Sequence, residues 1–350
     1  MQKWYSKELS IIEIKIMGKS RLFFCILFCV IFVQSLYAWG GHTVYTYYVL
    51  NHLDINLNFL VEVHPKDFEE ERVYNTTGML GEYLENDISG QDIPNLINKD
   101  LLLKYGSINS KSIDGKLPAW QIISLYSSFP DIGIDYLKDV SWIQNIFLGN
   151  SQALRHSKIK VRPVEVFEGD QSFLYFAKKS SKLLKEGNEY WGLRYLGYAL
   201  HYLEDLMQPY HTRPGTVWEL VRYPFDKNIR ILLRNAHTAY DNMMVYLILY
   251  DEDKLENVIS NAKPIYFSSY EQLIYEAYMY SHSQFFKVHE MVKNVFSDIL
   301  YDYAPTMTDF TRLAQQGKLN DLVEETYRII STMSSVIKGF IGIHPGQCKI

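Results

Sequence analysis

The chain has 350 residues and a formal net charge of −5, with 47% apolar, 21% charged and 15% aromatic residues. These fractions exclude a disordered chain, a collagen-like repeat and a coiled-coil array, and the mild acidity excludes a bulk electrostatic footprint for duplex nucleic acid. Tyrosine alone supplies 28 residues, amphipathic side chains suited to surfaces that meet sugars, bases, lipid headgroups or a protein partner.

Residues 22–33 read LFFCILFCVIFV, an apolar run preceded by Lys19 and Arg21 and followed by Gln34-Ser35-Leu36-Tyr37-Ala38. A basic start, a short apolar core and a small residue at its end predict a secretory signal peptide over 1–38, cut between Ala38 and Trp39. The run is short for a transmembrane helix, with an uncleaved signal-anchor as the other reading; Met17 is a second possible start. The expected location is secreted or periplasmic. Cleavage removes five of the 35 basic and two of the 40 acidic residues, leaving 30 against 38. It also removes Cys25 and Cys29, leaving Cys348, so no internal disulfide is expected and a large core, bound metal or both must hold the fold. Asn75-Thr76-Thr77 is a sequon that matters only in a glycosylating host.

Beyond residue 38 the spacing of apolar residues predicts helices over 43–53, 118–128, 171–186, 189–208, 229–250, 269–303 and 318–340. The second stops at Phe129-Pro130-Asp131, the third at Gly187 and the fourth at Pro209. Residues 161–167 can be extended, but nothing alternates over enough strands to build a sheet. Residues 54–117 are the least regular, with turn-like pieces at 86–94 and 107–115. The expectation is an all-α chain with a catalytic core over 39–250. Further helices over 251–350 are expected to pack on the same domain.

Two of the histidines sit in a pattern with chemical meaning. His201 and Asp205 are four apart in one predicted helix, and His237 and Asp241 are four apart in another. That spacing places an imidazole and a carboxylate one turn apart on one helical face. One such pair is weak evidence, because a surface pair or a satisfied core histidine gives the same spacing. The context strengthens it. The segment 191–200 before His201 is almost wholly apolar, where an unpaired His and Asp are costly. His211 then follows the helix-ending Pro209. Imidazole with carboxylate suits Zn²⁺.

His201-x-x-x-Asp205-x-x-x-x-x-His211 followed by His237-x-x-x-Asp241 resembles the zinc-dependent phospholipase C and single-strand-specific nuclease superfamily. Trp39-Gly40-Gly41-His42, directly after the predicted cleavage site, resembles that family's mature start. The resemblance covers roughly 39–245 and implies an all-α, multi-helix fold with three Zn²⁺ ions in a cleft. It implies that the amine and carbonyl of Trp39, with His42 and a bridging Asp205, hold one zinc. His201, Asp205, His156 and an upstream Asp hold the second, and His211, His237 and Asp241 the third. The upstream Asp is assigned to Asp131, after the Phe129-Pro130 step, with Asp87 as rival. Two departures stand out: Asp131 is farther from His156 than in the family, and Trp39 is closer to His42. The implied reaction is phosphoric ester hydrolysis by a metal-activated water that Asp131 orients or deprotonates.

The substrate is read two ways. Met207 stands where the nuclease branch carries a His, and Pro209-Tyr210-His211 resembles the phospholipase version. Asp241, where classical phospholipases use Glu, and the long interval from His211 to His237 point to the nuclease branch. The expectation is a phospholipase C acting on a phospholipid membrane surface and releasing diacylglycerol. The alternatives are a zinc nuclease or nucleotidase acting on single-stranded nucleic acid, and a non-catalytic secreted helical binding protein. A monomer without a protein partner is expected. His52, His64, His282, His289 and His344 read as structural, and Tyr270, Tyr275, Tyr278, Tyr280, Tyr301 and Tyr303 as core packing. Cys348 is free for an intermolecular bridge.

Overall fold

The segment Glu189–Leu206 is helical, and every residue after Glu189 is buried. A helix that is apolar nearly all round is stable only at the centre of a larger assembly, and the remaining elements surround it. The structure is a computed structural model that describes residues 41–63, 115–132, 156–161 and 164–344. The expected signal segment over 1–38, Trp39, His64, the sequon at Asn75, Asp87 and Cys348 lie outside those residues.

The described elements run in chain order as α1 (His42–Asn51), β1 (Leu60–Glu62), β2 (Lys116–Pro118), α2 (Ala119–Tyr126), a 3₁₀ turn (Phe129–Ile132), β3 (Ile159–Val161), β4 (Val164–Val166), α3 (Gly169–Lys185), α4 (Glu189–Leu206), α5 (Pro209–Thr212), α6 (Val217–Arg222), α7 (Lys227–Tyr250), α8 (Glu252–Asn261), α9 (Tyr270–Phe296), α10 (Ile299–Asp302), α11 (Met307–Gln315) and α12 (Asn320–Ile343). The fold is all-α. Its strands among the described residues form two antiparallel pairs, with Leu60 opposite Pro118 and Ile159 opposite Val166. No described helix is long and apolar enough to cross a membrane.

Sequence chemistry explains the joints. Gly187, at φ +84°, takes the left-handed turn after α3. Asn188 then caps α4 by accepting the Trp191 N–H. α7 starts at Lys227 because Asp226 accepts the N–H groups of Asn228 (3.0 Å) and Ile229 (3.3 Å). The single helix expected over 269–303 is instead two, broken where Ser297 adopts φ +43°. The polar Ser297-Asp298 pair there interrupts the apolar face, which resumes at the buried Leu300.

The C-terminal helices share the core with the N-terminal ones. Tyr45 on α1 pairs with Ser334 on α12 (2.8 Å). Lys338 donates to the carbonyls of Ile259 (2.8 Å), Ser260 (3.2 Å) and Ala262 (3.0 Å), closing the C-terminus of α8. His344, just past α12, packs against α3 and α9. Ser180 Oγ–H donates to the Gly192 carbonyl (2.6 Å), so it accepts from His344 Nε2–H (2.9 Å). The Tyr270 hydroxyl then donates to Nδ1 (2.8 Å). Burial pushes the imidazole down to about 3, so it stays neutral. This bears out the structural reading of His344.

Candidate metal centre

Asp205 sits at the middle of the site, with its side chain fully buried. Its two oxygens face different partners. Oδ2 lies 2.8 Å from His156 Nδ1 and 3.1 Å from His201 Nε2. Oδ1 lies 3.2 Å from His211 Nδ1 and 3.5 Å from His42 Nε2. Asp131 Oδ1 approaches the same cluster, 3.5 Å from His201 Nε2 and 3.6 Å from His156 Nδ1. On α7, His237 Nε2 is 3.3 Å from Asp241 Oδ2. The donors fall into three sets able to hold a metal ion: His42, Asp131 and His201; His156, His201 and Asp205; His211, His237 and Asp241.

Six separate pieces of chain deliver these donors, and local structure positions them. α4 supplies His201 and Asp205 one turn apart. It can approach α2 closely because residue 197 is glycine: a Cβ there would sit 2.6 Å from the Ile123 carbonyl oxygen. That closeness brings the Ser127 carbonyl, at the end of α2, to 2.7 Å from His201 Nδ1. His201 therefore carries its proton on Nδ1 and turns the Nε2 lone pair inward. His156 immediately precedes β3, whose entry is tied down by Gly169 N–H to the Ser157 carbonyl (3.0 Å) and Lys158 N–H to the His211 carbonyl (3.0 Å). The second bond also fixes α5, which carries His211. The 3₁₀ turn after α2 presents Asp131.

Two supporting side chains escape the spacing argument. Glu204 is fully buried beside Asp205 and accepts from His42 Nδ1 (2.6 Å) and Thr46 Oγ1 (2.7 Å). It thereby holds His42 with Nε2 toward Asp205. The Gln208 side chain caps α5 by accepting the Tyr210 N–H, and its amide donates to Asp241 Oδ1 at 2.6 Å. The signal in each case was a charged or amide residue in a run that is otherwise wholly buried.

The electrostatics are compatible with a bound cation. Burial would lower His42, but the hydrogen bonds and charges of Asp205 and Glu204 outweigh it and raise it to about 10. Burial with little compensation takes His156 down to about 4 and His237 well below its usual value. Burial lifts Asp241 to about 7. Burial also opposes ionisation of Asp205, yet the surrounding His211 and His201 hold it well below the ordinary carboxylate range. Among the described residues, Asp205 Oδ1, both ring nitrogens of His211 and His237 Nε2 are buried without a well-aligned hydrogen bond, although Asp205 Oδ1 and His211 Nδ1 lie 3.2 Å apart and His237 Nε2 lies 3.3 Å from Asp241 Oδ2. Such groups are costly unless something binds them. A donor set of imidazoles and carboxylates, held by hydrogen bonds behind the rings, fits divalent metal.

The structure thus gathers eight of the nine residues singled out from the sequence: His42, Asp131, His156, His201, Asp205, His211, His237 and Asp241. Trp39 lies outside the described residues. Within the gathered set, His42 shares a group with Asp131 and His201 as well as facing Asp205, so the first and second expected sites are more intermingled than the ligand sets implied. No protein-family model matches the chain, and no curated protein matches it.

Proposed function

We propose that the chain is a zinc-dependent phosphoric ester hydrolase of the phospholipase C kind, acting on phospholipid and releasing diacylglycerol and a phosphorylated headgroup. The observation that supports it most is the convergence of two independent His-x-x-x-Asp turns, from α4 and α7, with His42, His156, His211 and Asp131 around one carboxylate. His201, His156, Asp205 and Asp131 would hold one Zn²⁺, His211, His237 and Asp241 another, and His42 with Asp205 a third, completed by Trp39. Bound there, the ions would supply Lewis acidity, easing deprotonation of a water and offsetting charge on the phosphoryl oxygens.

The chain's own residues supply the rest. Ser127 and Glu204 fix the tautomers of His201 and His42, so both rings meet the cluster through Nε2. Asp131 is the most exposed carboxylate of the set, 13% accessible against 7% or less for Asp205 and Asp241. In this reading Asp131 would receive the proton of an incoming water. The water oxygen would bond to phosphorus, the bond from phosphorus to the glycerol oxygen would break, and that oxygen would leave as the alcohol with the proton that Asp131 took from the water. No Ser or Cys nucleophile is required.

A side-by-side assay of phosphatidylcholine and single-stranded DNA at one pH tests the reading. The expected result is faster release of diacylglycerol. Faster DNA degradation would move the chain to the nuclease branch. Turnover of neither by protein that retains metal would favour the non-catalytic binding reading. The expected zinc content is about three per chain. A residue left ahead of Trp39 should lower it.

A further inference from the structure

Between the metal-directed His211 and His237 the chain makes an excursion that the cluster does not use. Its centre is α6, and this short helix is two-faced. Glu219 and Leu220 point inward and are buried, while Val217 (54%), Trp218 (69%) and Val221 (59%) are exposed. Phe225, just beyond the helix, is 79% exposed. The inward side is anchored: Thr216 and Glu219 form a capping box. Glu219 also accepts from His289 (2.9 Å) and Lys293 (2.7 Å) on α9. The apolar face is therefore held outward by a fixed support.

Cations border it. Arg222 pairs with Asp226 at the edge of the patch. Lys227, Arg230 and Arg234 follow at three- and four-residue spacing along one face of α7. Arg230 donates to the carbonyls of Tyr223 (3.1 Å) and Pro224 (3.2 Å), so this face adjoins the turn that carries Phe225. The same spacing continues into His237 and Asp241. One helical face thus runs from the apolar patch to the metal ligands over roughly 20 Å. In a chain of net charge −5, residues 213–234 hold five cations against two carboxylates, one of them the inward-facing Glu219.

We propose that Val217, Trp218, Val221 and Phe225 insert into the interface of an anionic phospholipid bilayer, with Lys227, Arg230 and Arg234 binding its phosphates and leading toward His237. Exposed Trp and Phe beside basic residues suit the headgroup boundary of a membrane. Stacking on single-stranded bases would use Trp218 and Phe225 but has no use for the two valines. The inference deepens the phospholipase reading and rests on it for the identity of the surface.

The test uses the purified protein and the double variant Trp218→Ala/Phe225→Ala, whose exposed sites should leave the melting temperature unchanged. Binding to phosphatidylcholine–phosphatidylglycerol vesicles should weaken at least about tenfold in the variant. Wild-type binding should also weaken as salt rises. Hydrolysis of a short-chain, monomeric phosphatidylcholine should be the same for both, while vesicle hydrolysis falls in step with binding. Equal vesicle binding by both proteins, or none by the wild type, overturns the proposal. A wild type that binds vesicles through these residues but hydrolyses neither lipid leaves the docking face standing and removes the phospholipase reading. Tight binding of oligothymidylate, lost in the variant while vesicle binding is unchanged, reassigns the patch to nucleic acid. As a second measurement, brominated lipid should quench Trp emission in the wild type. In Trp218→Phe binding should persist and that quenching should fall; undiminished quenching there overturns insertion at 218.

Discussion

At the scale of single residues, Asp205 does more than its helical partner His201. A carboxylate whose two oxygens face separate imidazole pairs can bridge two ions, whereas either imidazole serves one. Asp205→Asn should therefore remove activity and more than one equivalent of zinc, measured by metal analysis after gel filtration. Loss of a single equivalent would show that the bridge does not exist. Buried acids such as Glu204 and Asp241 survive in this core because each has a fixed donor: His42 and Thr46 for the first, Gln208 for the second.

At the scale of elements, the site depends on how closely helices meet. Ala is a better helix former than Gly by about 1 kcal/mol. At position 197, however, the added Cβ would press on the backbone of α2, 2.6 Å from one carbonyl oxygen. The steric term wins, so Gly197→Ala should destabilise by about 1–3 kcal/mol net. It should also weaken metal binding, because the Ser127 carbonyl moves away from His201. A stabilised variant with normal zinc content would contradict this account. The junction of α6 with α9 carries a pH dependence. Burial tends to raise Glu219, but His289, Lys293 and the Thr216 backbone outweigh it and hold the carboxyl far below its ordinary 4.5. A depressed folded value means the stabilisation is complete above the unfolded value and drains away as pH falls below it. The gap in melting temperature between wild type and Glu219→Gln should be full near pH ~6 and shrink below pH ~4. A gap that widens on acidification would rule it out.

For the whole molecule, an all-α core without an expected internal disulfide buries a dense group of imidazoles and carboxylates near its centre. Metal bound only by the folded state stabilises by mass action, about 2.7 kcal/mol per site at a hundredfold excess over Kd. With three sites, exhaustive chelation should lower the melting temperature by at least about 10 °C. Restoring Zn²⁺ should recover it. An unchanged transition would mean that the cluster is satisfied without metal. Packing of α12 against α1, α3 and α8 makes the loss felt across the chain.

The sequence by itself determined the helical class, because apolar spacing near 3.6 residues is local. It also determined the two His-x-x-x-Asp turns, because four residues make one helical turn whatever surrounds them. It placed the stops at Pro209 and Gly187 for the same local reason. The break at Ser297 escaped it, since a polar pair within a long apolar pattern tips toward a turn only when packing rewards Leu300 inside. Tertiary structure alone decided that His42, Asp131 and His156 meet Asp205, that Glu204 and the Ser127 carbonyl orient the rings, and that one side of α6 faces outward. Those outcomes depend on contacts between residues as many as 162 positions apart, a closeness that chain spacing does not encode and that only the packing of helices around α4 supplies.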